Sequence, residues 1–259
     1  MGILLLTSTS GSPGTTTLAV GLALTWPRPV LLVDADPGAH QAVLAGYLTG
    51  RGASGKGLLR VAEAHRDRRA LREVVIDQTM PLSDDDARRL FLPGFARAGS
   101  ANHFGPVWED LAETFDRLDD VDFDVIVDCG RLGAAGLPGP LVERSALVIV
   151  VLTSSLRSVM SARVHLPVLQ DQGRGEQGRL GLIVVGEGQP YGRSEIAKAL
   201  QLPVLSTVVH DPKVASHLSD GRPRARHFES SALIRGLRDT ATQLAESLQR
   251  SVDAVRSGS

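Results

Sequence analysis

The sequence predicts an α/β fold: a doubly wound, mostly parallel sheet with helices on both faces. Three observations carry this. Short apolar runs recur at residues 3–7, 29–34, 123–128, 146–152, 180–185 and 204–209. These runs are continuous in Val, Ile and Leu rather than alternating, which is the pattern of strands covered on both sides. Amphipathic, helix-length segments at 16–26, 106–118, 156–170 and 194–200 separate them. Alternation of β and α units predicts a parallel sheet, and right-handed crossovers then distribute the helices over both faces.

Composition bounds the function. The 259 residues are 42% hydrophobic and 22% charged, an ordinary balance for a globular protein. A chain of this length buries roughly three quarters of the surface it exposes when unfolded, so it needs no disulfide or metal staple. No apolar run approaches the roughly 20 residues that span a bilayer, which excludes an integral membrane protein. The net charge of −1 gives no global pull toward nucleic acid or anionic lipid. Cys129 is the single cysteine, so an intrachain disulfide is excluded and a reducing, cytoplasmic setting is expected. The first residues lack the basic and long apolar regions of a signal peptide. Nothing reads as an internal repeat or a dividing linker, so residues 1–259 are expected to form a single domain.

Two regions break the rhythm. Residues 50–105 read as an insertion carrying helix-like pieces at 58–66 and 84–90, then a Gly-containing stretch from Leu92 to Gly105. Within it, residues 99–105 read as a loop leading into the helix of Trp108, with partner docking as the competing reading. Residues 229–255 read as one long amphipathic helix, with Leu233, Leu237, Leu244, Leu248 and Val252 near one face. That face has no large aromatic residue and the opposite face mixes acids with arginines, so packing against the sheet is favoured over a membrane role.

The chemistry concentrates after the first strand. Thr7-Ser8-Thr9-Ser10-Gly11-Ser12-Pro13-Gly14-Thr15-Thr16-Thr17 joins that strand to a helix, the place where a phosphate-binding loop belongs. Glycines let backbone amides turn inward, and the helix adds its N-terminal dipole. Gly11, Ser12, Gly14, Thr15, Thr16 and Thr17 are the candidate nucleotide-binding residues, with the Thr16 hydroxyl suited to a Mg²⁺ ligand. A Walker A loop carries a lysine just before its Ser/Thr pair, to reach the β- and γ-phosphates. Thr15 stands there instead. A Gly/Ser/Thr turn that merely caps a helix is the competing structural reading. Asp34, Asp36 and Asp128 end two of the expected strands, where ligand sites of parallel sheets lie. Each alone reads as a turn or helix cap; together, beside the loop, they read as a Mg-nucleotide site.

This segment resembles the deviant Walker A loop of the ParA/MinD family of ATPases, K-G-G-x-G-K-T-T. Ser10 to Thr17 align with it without a gap, and Gly11, Gly14, Thr16 and Thr17 match. Ser10 replaces the signature lysine that crosses the family's dimer, Ser12 replaces a glycine, and Thr15 replaces the catalytic lysine. Val30 to Pro37 is similar to the family's V-L-L-V-D-x-D-P, and Asp124 to Asp128 to its Walker B strand. Glu195 to Leu200 with Leu202 to Leu205 resembles E-I-x-x-x-L-x-x-P-V-L. His210-Asp211-Pro212 and Gly221-Arg222-Pro223 follow the next motifs. Gly130-Arg131 departs from the family's Pro-Pro, and Gly186-Glu187 stands where a base-reading Asn is expected. Residues 55–63 are similar to the CpaE/TadZ branch, which localises pilus or secretion machinery.

The resemblance implies a P-loop fold, ATP or ADP with Mg²⁺ as ligand, Asp34 and Asp128 with Thr16 at the metal, and Asp36 positioning the attacking water if the chain is active. Loss of the lysine charge implies weak or no hydrolysis, since phosphoryl transfer rests on electrostatic stabilisation. Loss of Ser10's counterpart implies no ATP-sandwiched homodimer. The expected role is therefore a positioning or regulatory module, working with a pilus or secretion component or an intact relative, and recruited to a membrane by that partner. Two alternatives stay open: an ATPase completed by a replacement cation such as Arg131 or by a partner subunit, and an interaction protein that binds no nucleotide. Arg222, Arg224, Arg226, Arg235 and Arg238 form a local basic cluster that could hold DNA; an ordinary solvated face is the simpler reading, favoured by the neutral balance of charge. Neither metal-type histidine spacing nor a G-x-S-x-G elbow occurs.

Overall fold

The computed structural model describes residues 2–10, 13–50, 55–97, 99–118, 122–172 and 179–257, with side chains through residue 250. The strands are β1 (Ile3–Ser8), β2 (Val30–Asp34), β3 (Met80–Pro81), β4 (Arg89–Leu92), β5 (Asp124–Arg131), β6 (Leu147–Thr153), β7 (Leu180–Val185) and β8 (Val204–Val208). They form one sheet in the order β3-β4-β2-β5-β1-β6-β7-β8. Every pairing is parallel except β3 with β4. The helices are α1 (Thr15–Thr25), α2 (Leu58–Arg66), α3 (Leu71–Gln78), α4 (Val107–Asp116), α5 (Gly139–Arg144), α6 (Leu156–Gln172), α7 (Arg193–Leu200), α8 (Pro212–Asp220) and α9 (Ala232–Ser257).

The strand pleat divides the core. Ile3 and Leu5 of β1 join Leu31, Val33, Val125 and Val127 under α2 to α7. Leu4 and Leu6 face the other way, under α1, α8 and α9. Doubly covered strands explain the continuous apolar runs. In α9, Leu233, Leu237, Leu244 and Leu248 are buried on that second face, so the long amphipathic helix packs on the sheet as expected. The side chain of Val252 lies outside the described residues.

The insertion departs from expectation. Residues 84–90 do not form a helix. The Ser83 hydroxyl accepts from the Asp85 amide and the Asp86 carboxylate accepts from the Arg88 amide, so side chains take backbone donors that a helix would use. Leu90, Phe91 and Leu92 then enter the sheet as β4 against β2. β3 was also unexpected: it is two residues long, and Pro81 offers no amide to the open edge, which blunts further strand addition. The helix α3 was missed as well; Leu71, Val74 and Val75 are its buried face. Residues 100–103 form a 3-10 turn, and buried Phe104 packs edge-on against Trp108 with ring centroids 4.6 Å apart. This is the helix-entry arrangement.

Asp124 ties three elements at the lower end of the sheet. It is fully buried and accepts from the Gly2 amide at 3.0 Å, from Trp26 Nε1 at 2.8 Å and from Arg28 Nε at 2.9 Å. Arg28 Nη2 reaches on to the Ala245 carbonyl of α9 at 3.0 Å. A buried carboxylate is tolerable only with such partners, and removing it strands the donors. Asp124→Ala is expected to destabilise the chain by about 3–5 kcal/mol in urea unfolding; a loss under about 1 kcal/mol would show that the hub is dispensable.

Candidate functional site

The site lies at the carboxyl ends of β1, β2 and β5, where the sheet meets the N-terminus of α1. Gly14 begins α1 at φ 86°, a left-handed conformation that glycine adopts without steric cost, and its carbonyl accepts from the Leu18 amide at 2.7 Å. No side chain caps this end and no acid occupies the first turn. The first amides of a helix have no intrahelical partner, so α1 presents donors and a positive dipole end. The strand end before the loop is held on two sides. The Thr7 hydroxyl donates to the Gly130 carbonyl at 3.1 Å, and the Ser161 hydroxyl of α6 donates to the Thr9 carbonyl at 2.9 Å. Of the predicted loop residues, Gly11 and Ser12 lie outside the described residues.

The three threonines diverge. Thr15 is buried, and among the described residues its hydroxyl has no hydrogen-bond partner; the Thr9 hydroxyl shares that condition. Thr16 turns its hydroxyl to the Asp128 carboxylate. Thr17 lines a cavity of about 310 Å³ with Gly14, His210, Asp211, Leu233 and Leu237. Val208 and Val185 close its apolar wall. The chain therefore separates a polar, carboxylate-facing side of α1 from a mixed cavity reaching α8 and α9.

Asp34 and Asp128 are register partners on adjacent parallel strands. Burial, and after it the neighbouring Asp128 charge, push the Asp34 carboxyl up to about 7. Burial also lifts Asp128 to about 6, against the hydrogen bonds from Thr16 and from the Gly130 amide at 3.0 Å. Two buried, mutually repelling carboxylates beside a hydroxyl make a hard oxygen donor set, the chemistry that suits Mg²⁺. The orphaned threonine hydroxyls and the free helix end also fit a phosphate group. A lysine or arginine to grip the terminal phosphate is the missing part, since residues 7–17 contain neither.

Asp36 is held differently. Its Oδ1 accepts from the Gly38 amide at 2.8 Å, and its Oδ2 contacts His40 Nδ1 at 2.8 Å. It lies so close to Gly130 that a Cβ there would sit 2.3 Å from Oδ1, and Gly130 has φ 62°, so glycine is required twice over. His40 was not anticipated; its signal was the four-residue spacing from Asp36 across Pro37-Gly38. Ala39 and Gln41 on either side both adopt positive φ, which costs roughly 1–2 kcal/mol at a non-glycine residue. The Asp36 carboxylate raises the His40 imidazole above its ordinary value, while the Arg131 charge opposes this. Arg131 ends β5 in this same region. Cys129 is buried, and burial with the charges of Asp128 and Asp36 pushes its thiol far up, so it is an inert core residue.

The carboxylate pair dictates a pH response. Asp34 and Asp128 bind protons more tightly folded than unfolded, so the stability they contribute is complete below about pH 4 and is lost as pH rises through about 6 to 7. A cation competes with those protons. Mg²⁺ is therefore expected to raise the melting temperature at pH 8 and hardly at pH 5. Asp128→Asn should melt higher than wild type at pH 8 without metal and lose the Mg²⁺ shift. Equal Mg²⁺ shifts at both pH values would contradict this assignment. The Asp36 pair makes a second prediction: His40→Ala frees one oxygen of Asp36 and removes a cation, so the proteolysis rate at residues 36–42 should rise while the melting temperature changes little. An unchanged cleavage rate would show that the pair does not hold the segment.

No family sequence model and no curated protein matches the chain. Solved structures do. MinD from Aquifex aeolicus superposes with a TM-score of 0.72 at 17% identity, covering 95% of this chain and 98% of that one. A ParA family ATPase from Chlorobium tepidum gives 0.71 at 18% identity, covering 93% and 98%. The septum site-determining protein MinD of Pyrococcus horikoshii, complexed with Mg-ADP, gives 0.67 at 19% identity, covering 94% and 95%. The eight-stranded, mostly parallel sheet with its strand-loop-helix at β1 is thus the P-loop fold of the ParA/MinD ATPases.

Proposed function

We propose that the chain is a ParA/MinD-like positioning module that holds a Mg-nucleotide weakly and hydrolyses it slowly or not at all. The carrying observation is Thr15: a buried, neutral side chain with an unpartnered hydroxyl stands where the Walker lysine is expected. The N-terminal amides of α1 would hold phosphate oxygens, with Thr16, Asp34 and Asp128 at the metal. Mg²⁺, when bound, neutralises and orients phosphate oxygens. Asp34 and Asp128 would give up their protons to accept it, and Thr16 would exchange its bond to Asp128 for the ion. Thr17 and the cavity shared with His210 and Asp211 would take the rest of the nucleotide. Asp36 is the residue that would orient water, and both its oxygens are already engaged. Missing charge and an occupied Asp36 both favour slow turnover.

Partner dependence is supported by the fold's company. One similar structure is MinD of Aquifex aeolicus in complex with MinC, and another is a Borrelia burgdorferi plasmid partition protein bound to AMPPNP. For this chain the partner would be a pilus or secretion component, as residues 55–63 suggest, or an intact relative. Among the described residues, no helix is long and apolar enough to cross a membrane, so membrane placement would come through that partner. The DNA reading loses ground, because Glu229 lies near both Arg224 and Arg238, at 3.5 and 3.9 Å. An ATPase completed by a replacement cation is the second reading, favoured by His40 bonded to Asp36 and by the Arg131 charge that acts on His40.

Three measurements on the purified chain test the proposal. Mg-ADP should raise the melting temperature, because a ligand that binds only the native state stabilises it. Turnover should be near background, and Thr15→Lys should raise it about a hundredfold, the scale of one well-placed charge in a dry site. Mass by light scattering should not double with Mg-ATP. Brisk turnover abolished by Asp36→Ala would reject the proposal, and no thermal shift with any nucleotide would leave a pure interaction protein.

A further inference from the structure

A second cavity, of about 370 Å³, lies between the β3 edge and α8. Leu48, Met80 and Leu82 give it an apolar lining, and all three are buried. Tyr47 and His217 add aromatic rings to the wall, and Asp84, Asp85 and Arg224 supply its charges. An apolar concavity with a few convergent polar groups is the usual form of a small-molecule site.

Unusual backbone shapes this cavity. Residues 43–47 form a π-helical turn, a rare element that occurs mostly at functional sites. The turn sits directly on α8: a Cβ added at Gly46 would stand 1.9 Å from the Ser219 carbonyl oxygen. Thr49 follows at φ 50°, in the left-handed region that a β-branched residue rarely adopts. His217 is held in place. Its Nδ1 donates to the Arg222 carbonyl at 2.6 Å, and its Nε2 accepts from Arg224 Nε at 3.3 Å. Its ring lies edge-on to Tyr47 and Phe228, with centroids 5.7 and 4.9 Å away.

The charge balance of the wall is negative. Arg224 is already engaged: besides its bond to His217, its guanidinium lies over the Phe228 ring at 5.6 Å and 3.5 Å from Glu229. Asp86, next on the acidic loop, is neutralised by Arg88 and Arg89 at 3.2 and 2.6 Å. Asp220 and Arg222, on either side of Gly221, offset each other in sign. The Asp85 carboxylate makes no ion pair among the described residues; only its amide is bonded, to the Ser83 hydroxyl. We propose that this cavity binds a small organic cation, an amine or guanidine carried on a flat apolar body. The body would lie against Leu48, Met80 and Leu82 beside Tyr47, and the cationic end would meet Asp84 and Asp85. A polarizable Met side chain and aromatic rings suit such a body and its charge. An organic anion fits poorly, since it meets the two carboxylates. A metal ion fits poorly too: among the described residues no group of three metal-ligating side chains occurs, and the lining is apolar. An added β-strand is disfavoured because Pro81, in the same wall, has no amide to give.

The test titrates the full chain, with its Leu and Met methyl groups labelled for NMR, with phenethylamine, and in parallel with phenylacetate as the anion of similar shape. Phenethylamine should shift the Leu48, Met80 and Leu82 methyls saturably, and phenylacetate should leave them in place. Added salt should weaken the amine's binding. Asp85→Asn, at an exposed position, should weaken it at least about threefold, the upper range for one exposed charge pair. Asp85→Lys should abolish it. Binding should persist in Asp128→Asn, so its outcome is separate from that of the nucleotide site. No saturable shift, equal shifts with phenylacetate, or binding indifferent to both Asp85 variants would overturn the proposal. So would shifts confined to Leu233 and Leu237, or binding lost in Asp128→Asn, since the amine would then occupy the other cavity or the carboxylate pair.

Discussion

The site depends on one placement: two carboxylates, Asp34 and Asp128, side by side and buried at the ends of neighbouring parallel strands. Parallel register forces the pairing, and the covered sheet removes the water that would otherwise screen it. Each group is therefore driven toward its protonated form. Such an arrangement costs stability in the metal-free chain and is repaired by a divalent cation. The same strands carry Asp36 and Gly130 into contact, so the geometry around the second aspartate follows from the first pair.

Opposite this acidic ledge stands a helix end that offers amides, dipole and hydroxyls but no full positive charge. In a low-dielectric cleft a point charge is worth far more than a hydroxyl dipole. Thr15 is buried there, and among the described residues its own oxygen is unpartnered. Residues 7–17 carry no lysine or arginine, His40 is bonded to Asp36, and Arg131 sits in register with Ser8 at the end of β1. On the proposed reading such a cleft would retain a metal-bound diphosphate through amides and carboxylates, and its described residues would offer little to distinguish a terminal phosphate.

Much of the architecture was legible in the residues. Uninterrupted Val, Ile and Leu runs located six of the eight strands, since a strand buried on both faces needs no polar alternation. The helix α8 was not read, although its start signal is present: the Asp211 carboxylate accepts from the Val214 amide at 3.1 Å, with Pro212 at the first helical position. The insertion was harder to read. β3 and β4 are too short for periodicity, and the Ser83 to Asp86 cluster carries a composition that either a helix start or a turn could use; local side-chain bonds decided for the turn. In the site, the aspartates were visible from their positions after strands, whereas the bond from the Thr16 hydroxyl to Asp128 was not read from the sequence, which offered Thr16 only as a metal ligand. His40 escaped notice because its partnership needs two strained residues, Ala39 and Gln41, which no propensity favours.

Calorimetric titration of the isolated chain with Mg-ADP and Mg-ATP is the most direct measurement of the missing charge. With nothing to grip a third phosphate, the two dissociation constants should agree within about threefold, a difference of well under 1 kcal/mol. ATP binding tighter than ADP by about tenfold or more would mean that a cation does reach the terminal phosphate, and absence of binding heat for both would mean that the ledge of carboxylates and the helix end do not form a nucleotide site.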